Sequence, residues 1–211
     1  MGLMCSWVAV KGASKAALLA AVDLAETDVP REALPGCRDV NFCYRELPGG
    51  WTVLASDDFE WASRGRVVEL SRLGPTVGCQ YADTMMTVAT GAEKGVELWR
   101  VLHDCENEGV YHLDVSGDAP TQFAGIRDEY FRLQNEDGGK KSSVNFIHEI
   151  PLQLSQVLCG YRPDEGELEP FLALKPVGAE DEAADYGRRS RKPREASEPF
   201  FGSFFGLFKR K

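Results

Sequence analysis

The sequence predicts an α+β fold: a mostly antiparallel sheet packed by three or four helices, with a disordered C-terminal tail. Short apolar segments of strand length are separated by glycine-containing turns, a pattern typical of antiparallel strands joined in series. Helical periodicity interrupts these segments at only a few places, which favours an antiparallel α+β arrangement over a doubly wound parallel sheet. Beyond residue 175 the composition becomes charged and then aromatic, which indicates a tail outside the folded domain.

The chain opens with a predicted strand and helix. Residues 5–10 are apolar and end at Lys11-Gly12, and Ser14 is a candidate N-cap for the alanine- and leucine-rich run over 15–24. Residues 25–39 contain two prolines and a glycine without apolar periodicity, which predicts a loop.

A β-hairpin and a helix are predicted next. Residues 41–47 and 51–56 flank Pro48-Gly49-Gly50, and glycine accepts the positive φ that tight hairpin turns need. Apolar residues between 57 and 73 recur at helical rather than alternating spacing. This spacing predicts a helix over the second half of that segment.

A series of strands and then two helices are predicted for the rest of the body. The strands, separated by turns that contain glycine, cover 76–82, 85–90, 96–104 and 110–116. The polar segment 105–109 is short enough for a tight hairpin turn. Apolar residues recur at intervals of three or four over 120–134, and a proline followed by apolar residues predicts a last helix within 144–161.

Charge divides the chain into an acidic body and a basic tail. Residues 1–175 hold 16 Lys or Arg and 27 Asp or Glu, a net charge of −11, whereas residues 176–211 hold eight and six. The runs AEDEAAD and RRSRKPR cannot bury enough apolar surface to offset chain entropy. We therefore expect an acidic α+β domain over 1–175, a disordered charged linker over 176–199 and an aromatic and basic terminal motif over 200–211.

The composition also bounds compartment and chemistry. No apolar run approaches the roughly 20 residues that span a bilayer, and the start of the chain lacks a basic n-region, which predicts a cytoplasmic protein. The six cysteines contain no CxxC pair, and neither a phosphate-binding glycine loop nor a GxSxG elbow occurs. The sequence indicates no cofactor, and we expect the cysteines to be free thiols.

One cluster carries residues with catalytic potential. Cys105 lies beside His103 and faces His112 across the predicted hairpin, and a thiol becomes a useful nucleophile near a base. The surrounding carboxylates disfavour the thiolate, however. With His148, the same residues form an alternative zinc or iron site. The third interpretation, ordinary strand and turn residues without a metal, is the one that the sequence favours.

The acidic body and the basic tail point to different partners. Negative charge repels phosphate backbones, which argues against nucleic acid, and it steers association with a basic protein. The tail is suited to a membrane surface or to a groove on a protein partner, unless it packs back on the body. Its candidate binding residues are Phe200, Phe201, Phe204, Phe205, Leu207, Phe208, Lys209, Arg210 and Lys211.

The N-terminus matches a lipidation pattern. Met1-Gly2 followed by Ser6 fits N-myristoylation, and Cys5 is placed for a second acyl chain. Against this interpretation, residues 5–10 continue directly into a predicted core strand, which leaves almost no tether between a lipid and the fold.

The stretches CSWVAVKG, LWRVLHD and YHLDVSG resemble a group of uncharacterised bacterial proteins. The resemblance covers strands of the body and not the tail. It implies a bacterial cytosolic origin, and it implies no activity, substrate or catalytic residue.

Three functions follow as hypotheses. The leading one is a non-enzymatic protein-binding domain that docks a basic partner, in the manner of an immunity or anti-toxin protein. The second is a peripheral membrane or scaffold adaptor that uses the phenylalanine-rich tail. The third is a cysteine-dependent enzyme centred on Cys105.

Overall fold

Nine strands and five α-helices make up the part of the chain that the computed structural model describes, residues 4–31, 42–83, 85–163 and 171–178. The strands are β1 (Met4–Lys11), β2 (Leu24–Arg31), β3 (Phe42–Leu47), β4 (Trp51–Ser56), β5 (Thr76–Ala82), β6 (Met86–Glu93), β7 (Val96–Asp104), β8 (Asp114–Gly117) and β9 (Phe171–Pro176). The helices are α1 (Lys15–Ala21), α2 (Arg64–Leu70), α3 (Cys105–Glu108), α4 (Gln122–Glu136) and α5 (Glu149–Cys159), with a 3-10 turn at Gly139–Lys141.

All nine strands belong to one sheet, in the order β2-β9-β3-β4-β1-β5-β6-β7-β8. Every neighbouring pair is antiparallel. The α+β fold class with a mostly antiparallel sheet is therefore confirmed. The outer strands are β2 at one end and β8 at the other, and β1 lies in the middle between β4 and β5.

Strand β1 is buried on both faces because helices cover both sides of the sheet. Trp7 packs on one face with Leu152 of α5, and Val8 packs on the other face with Leu18 of α1 and Val67 of α2. Successive side chains of a strand point to opposite faces, so a strand buried on both sides is apolar at nearly every position. This explains the continuous apolar run at the start of the sequence.

The first helix is capped as predicted but is shorter. The Ser14 hydroxyl accepts a hydrogen bond from the Ala17 amide at 3.3 Å. The chain then leaves the helix at Asp23, whose φ is 54°, and enters β2. The loop predicted over 25–39 is therefore wrong up to Arg31, since these residues pair with β9, a partner almost 150 residues away in sequence.

The hairpin of β3 and β4 is confirmed, with Gly49 and Gly50 at φ 80° and 77° in its turn. The segment after β7 differs from the prediction. Residues Cys105 to Glu108 form the single turn α3 rather than a tight hairpin, because the Asp104 carboxylate accepts a hydrogen bond from the Asn107 amide at 3.0 Å and starts a helix there.

Two sheet glycines allow side chains to approach the backbone closely. A Cβ at Gly78 would lie 2.2 Å from Cγ2 of Val67, and a Cβ at Gly91 would lie 2.2 Å from the indole of Trp99, its cross-strand neighbour. The first contact seats α2 on one face of the sheet. The second contact places Trp99 on the other face of the sheet.

The predictions for the C-terminal tail lie beyond the described residues. Strand β9, which the sequence did not indicate, ends at Pro176, one residue past the boundary expected for the domain. The linker beyond residue 178 and the terminal motif over 200–211 stay predictions. None of the helices in the described ranges combines the length and the apolar character needed to cross a bilayer.

Candidate functional site

Acidic side chains concentrate at the end of the sheet that β8 forms. Residues 104–137 contain nine Asp or Glu against two Arg, so this segment holds −7 of the body's net charge of −11. Glu106, Glu108, Asp114 and Asp118 are exposed around β8, and we refer to these four residues as the acidic edge. None of the four forms an ion pair with another residue in the described part of the chain.

Strand β8 fixes two carboxylates of the acidic edge. Asp114 pairs with Leu102 of β7 at one end of the strand, and the Asp118 amide donates to the Leu98 carbonyl at 2.9 Å just past the other end. A Cβ at Gly117 would lie 2.1 Å from the Leu98 oxygen, so the chain leaves β8 pressed against β7. The two carboxylates are thus held on the sheet rather than on a free loop.

The turn α3 positions the other two carboxylates of the acidic edge. Its cap, Asp104, accepts hydrogen bonds from the backbone amide of Asn107 at 3.0 Å and from its side-chain amide at 2.9 Å. These hydrogen bonds lower the pKa of the Asp104 carboxyl, so the cap stays ionised. Glu106 and Glu108 lie exposed on the turn.

The arginines of α4 do not neutralise the acidic edge. Arg132 pairs with Glu129 at 2.7 Å and with Glu136 at 2.5 Å, and Arg127 pairs with Asp128 at 2.7 Å. Both arginines are therefore engaged by carboxylates of their own helix. Neither arginine forms an ion pair with a carboxylate of the acidic edge.

Hydrogen bonds of two histidines connect β7 to the segment between α3 and β8. The Nδ1–H of His103 donates to the His112 carbonyl at 2.7 Å, and its Nε2 accepts from the Asn145 side chain at 2.8 Å. In return, the Asp104 amide donates to Nδ1 of His112 at 2.9 Å. Because a carbonyl only accepts and an amide nitrogen only donates, these contacts assign the neutral tautomer of His103 with its proton on Nδ1.

His103 is neutral at physiological pH. The side chain is fully buried, and its ring lies 5.7 Å from that of His148 and 6.3 Å from that of His112. Burial above all, with further contributions from the two neighbouring histidines, lowers its pKa from 6.5 to about 4.

His148 forms a hydroxyl–imidazole–carboxylate arrangement with Thr87 and Glu149. Its Nε2 lies 2.7 Å from the Thr87 hydroxyl, and its Nδ1 lies 3.9 Å from Oε1 of Glu149. The same Nε2 also contacts the Ala82 carbonyl at 3.1 Å, which requires the proton to reside on Nε2. With that proton in place His148 cannot act as a base toward Thr87, and the threonine is fully buried.

The structure brings His103, His112 and His148 together, as the metal interpretation required. Hydrogen bonds engage both ring nitrogens of His103, Nδ1 of His112 and Nε2 of His148. Cys105 is half-buried at the start of α3. Both nitrogens of His103 are engaged elsewhere, so this residue has no free nitrogen with which to activate the Cys105 thiol. Across the described ranges, no group of three or more His, Cys, Asp or Glu side chains is placed to hold a metal ion.

Sequence reasoning missed the amides that complete this network. The buried side chain of Gln134 donates to the carbonyls of Gly139 and Val144 and accepts from the Phe146 amide, which orders the segment before α5. That segment places Asn145 against His103. The sequence offered one signal for the role of Asn145, its position three residues before His148. At this spacing its side-chain Oδ1 accepts a hydrogen bond from the backbone amide of His148 at 3.2 Å.

A second cluster holds cysteines in the core beneath α5. Cys5, Cys43, Cys79 and Cys159 are buried together with Trp7, and the five described cysteines form no disulfide. Burial raises the pKa of Cys79 well above its usual range and that of Cys159 to about 11. These thiols are core residues rather than nucleophiles.

We expect the folded protein to react with iodoacetamide at Cys105 and not at Cys79 or Cys159. For Cys159, a pKa of about 11 instead of 9.0 reduces the thiolate fraction about a hundredfold. Mass mapping of alkylated peptides before and after unfolding in denaturant provides the measurement. Labelling of Cys79 in the folded protein at the rate of Cys105 would contradict the buried assignment.

The remaining candidates lie outside the described residues. This applies to Gly2 and to the whole set of tail residues, Phe200, Phe201, Phe204, Phe205, Leu207, Phe208, Lys209, Arg210 and Lys211. Cys5, the second lipidation candidate, is buried within β1.

Comparison with known proteins yields no relative. No family model matches the chain, and no curated protein or solved structure matches it.

Proposed function

We propose that the body is a non-enzymatic protein-binding domain of the cytoplasm that docks a basic protein partner through the acidic edge, in the manner of an immunity or anti-toxin protein. The observation that carries this proposal is the net charge of −5 in residues 104–118, which hold five Asp or Glu and no Lys or Arg and contain the outer strand β8. Net negative charge on one side of a domain steers a positively charged partner to that side.

The surroundings of the acidic edge support a docking role rather than a catalytic one. The carboxylates are exposed, while the histidines beneath them are buried and hydrogen-bonded. The hydrogen-bonded histidines hold the segments that carry the charges in fixed positions. Less conformational entropy is therefore lost when a partner binds. The network of His103 and His112 therefore contributes to binding by positioning α3 and β8.

The proposal is tested by affinity capture from cells of the source organism, followed by identification of the captured protein and titration of the purified pair. The variant Asp114→Asn with Asp118→Asn removes two charges from the acidic edge. We expect it to weaken binding about three- to tenfold at low salt, with a smaller difference at high salt because salt screens exposed charges.

The matched control removes two exposed carboxylates that lie outside the acidic edge, one before α2 and one within it, Glu60→Gln with Glu69→Gln. It changes the net charge by the same amount and should leave the affinity for the partner unchanged. Equal weakening by both double variants would mean that the acidic edge is not the docking surface. Absence of any specific basic partner would remove the basis of the proposal.

A further inference from the structure

The outer edge of β8 has no neighbouring strand in the described part of the sheet. Its four residues are all exposed, and they pair with β7 on one side only. An open edge presents backbone N–H and C=O groups that an extended segment of another protein can bind as an added strand.

The register shows which backbone groups face outward. The Asp118 amide donates to the Leu98 carbonyl, and backbone groups that face a given neighbour alternate along an antiparallel strand. Asp114 and Ser116 therefore bond to β7 opposite Leu102 and Arg100. The N–H and C=O groups of Val115, between them, point away from β7.

Side chains at this edge combine an apolar centre with charged ends. Val115 pairs with Val101 of β7, and Phe123 of α4 packs against Val101 on that face of the sheet. The Val115 side chain is 39% exposed. Asp114 precedes it, and Asp118 follows the strand. An added strand of matching chemistry places an apolar side chain beside Val115 and basic side chains beside the two carboxylates.

The charge at this edge selects a basic partner over a second copy of the chain. Two copies paired through β8 would bring their acidic edges together, and like charges on facing strands are destabilising. A lysine- or arginine-rich segment reverses the sign of that interaction.

We infer that the partner contributes an extended, basic segment that pairs with β8 as an added strand through the outward backbone groups of Val115. This inference rests on the proposed function, since it specifies how the basic partner engages the acidic edge. The expected contact combines main-chain hydrogen bonds, which give affinity, with charge contacts at both ends of β8.

The experiment uses the full chain and a synthetic peptide of alternating lysine and valine with blocked ends. Its controls are a glutamate and valine peptide, and a lysine and valine peptide methylated at alternate backbone nitrogens. The first control has reversed charge, and the second keeps the charge but cannot donate the strand hydrogen bonds. We expect only the unmodified basic peptide to bind and to slow hydrogen exchange at the amides of Val115 and Gly117.

The protein variant Val115→Pro removes the outward amide, and Val115→Ala controls for the loss of the side chain. Proline is tolerated on an edge strand where the amide faces solvent, so the variant keeps the inward ladder. We expect Val115→Pro to weaken peptide binding at least about tenfold and Val115→Ala less than about threefold. If Val115→Pro does not fold, the methylated peptide and the exchange measurement decide the question alone.

The outcomes separate this inference from the proposed function. If Asp114→Asn with Asp118→Asn weakens binding but the methylated peptide binds as well as the unmodified one, strand addition is wrong and charge docking stands. If neither the charge substitutions in the protein nor the methylation of the peptide changes the affinity, both proposals are wrong. Sedimentation showing that the chain alone dimerises, and that Val115→Pro abolishes the dimer, would make a second copy the occupant and overturn the inference.

Discussion

Lowering the pH from 6.5 to 4 should reduce the free energy of unfolding by about 2–3 kcal/mol through His103 alone. Burial holds the pKa of this side chain at about 4 in the folded protein, whereas the unfolded chain takes up a proton at about 6.5. Between these values the unfolded state binds more protons. The stabilisation that His103 contributes is therefore fully present above the pKa of 6.5 in the unfolded chain. It falls as the pH decreases and levels off below the pKa of about 4 in the folded protein.

Urea unfolding at several pH values measures this effect in the wild type and in two variants. His103→Gln keeps a donor and an acceptor at the buried site but does not titrate, so its stability should fall less between pH 6.5 and 4. His112→Gln removes a partly exposed histidine and serves as the matched control. Carboxylates titrate near the lower end of the window in all three proteins, so the difference between proteins is the quantity compared. Equal pH dependence of wild type and His103→Gln would contradict the assignment.

Replacing Arg162 by leucine should destabilise the fold by about 2–4 kcal/mol. The guanidinium is almost fully buried and bonds to the Glu149 carboxylate at the start of α5, with Gln153 as a further acceptor at 3.4 Å. Burial raises the pKa of Glu149, but the nearby His148 and the charge and hydrogen bond of Arg162 outweigh it, so the pKa lies below its usual value. Without Arg162, a largely buried carboxylate loses the guanidinium that pairs with it.

Two comparisons identify the source of that loss. The double variant Arg162→Leu with Glu149→Leu removes both charges and should recover much of the stability, because no unpaired carboxylate is left. Arg132→Leu breaks a two-carboxylate pairing on the exposed face of α4 and should leave unfolding nearly unchanged. A loss for Arg132→Leu as large as that for Arg162→Leu would show that burial does not decide the effect.

Features encoded by neighbouring residues could be predicted from the sequence. The Ser14 cap, the turn at Gly49 and Gly50 and the antiparallel run from β5 to β7 all depend on contacts within a few tens of residues. Strands β2 and β9 could not, since each is stabilised by the other across the length of the domain. Pro30 and the polar residues of β2 have weak strand propensity, and the pairing with β9 overrides it.

The candidate site was predictable in its charge but not in its place. The acidic composition is in the sequence, whereas the concentration at one edge requires knowing that β8 is the last strand of the sheet. The approach of His103 to His112 follows from the predicted β7–β8 connection. The approach of His148 and Asn145 does not, because it depends on how α5 crosses the sheet.

The position of β9 has a consequence for synthesis on the ribosome. Residues Phe171–Pro176 lie between β2 and β3, so Cys43 and Ala173 are neighbours although 130 residues separate them. While the chain emerges, β1 can already pair with β4 and β5, but β3 keeps an unpaired edge and β2 has no place in the sheet. One side of the nascent domain thus stays exposed to other chains until translation has passed residue 176, when a single short strand closes it.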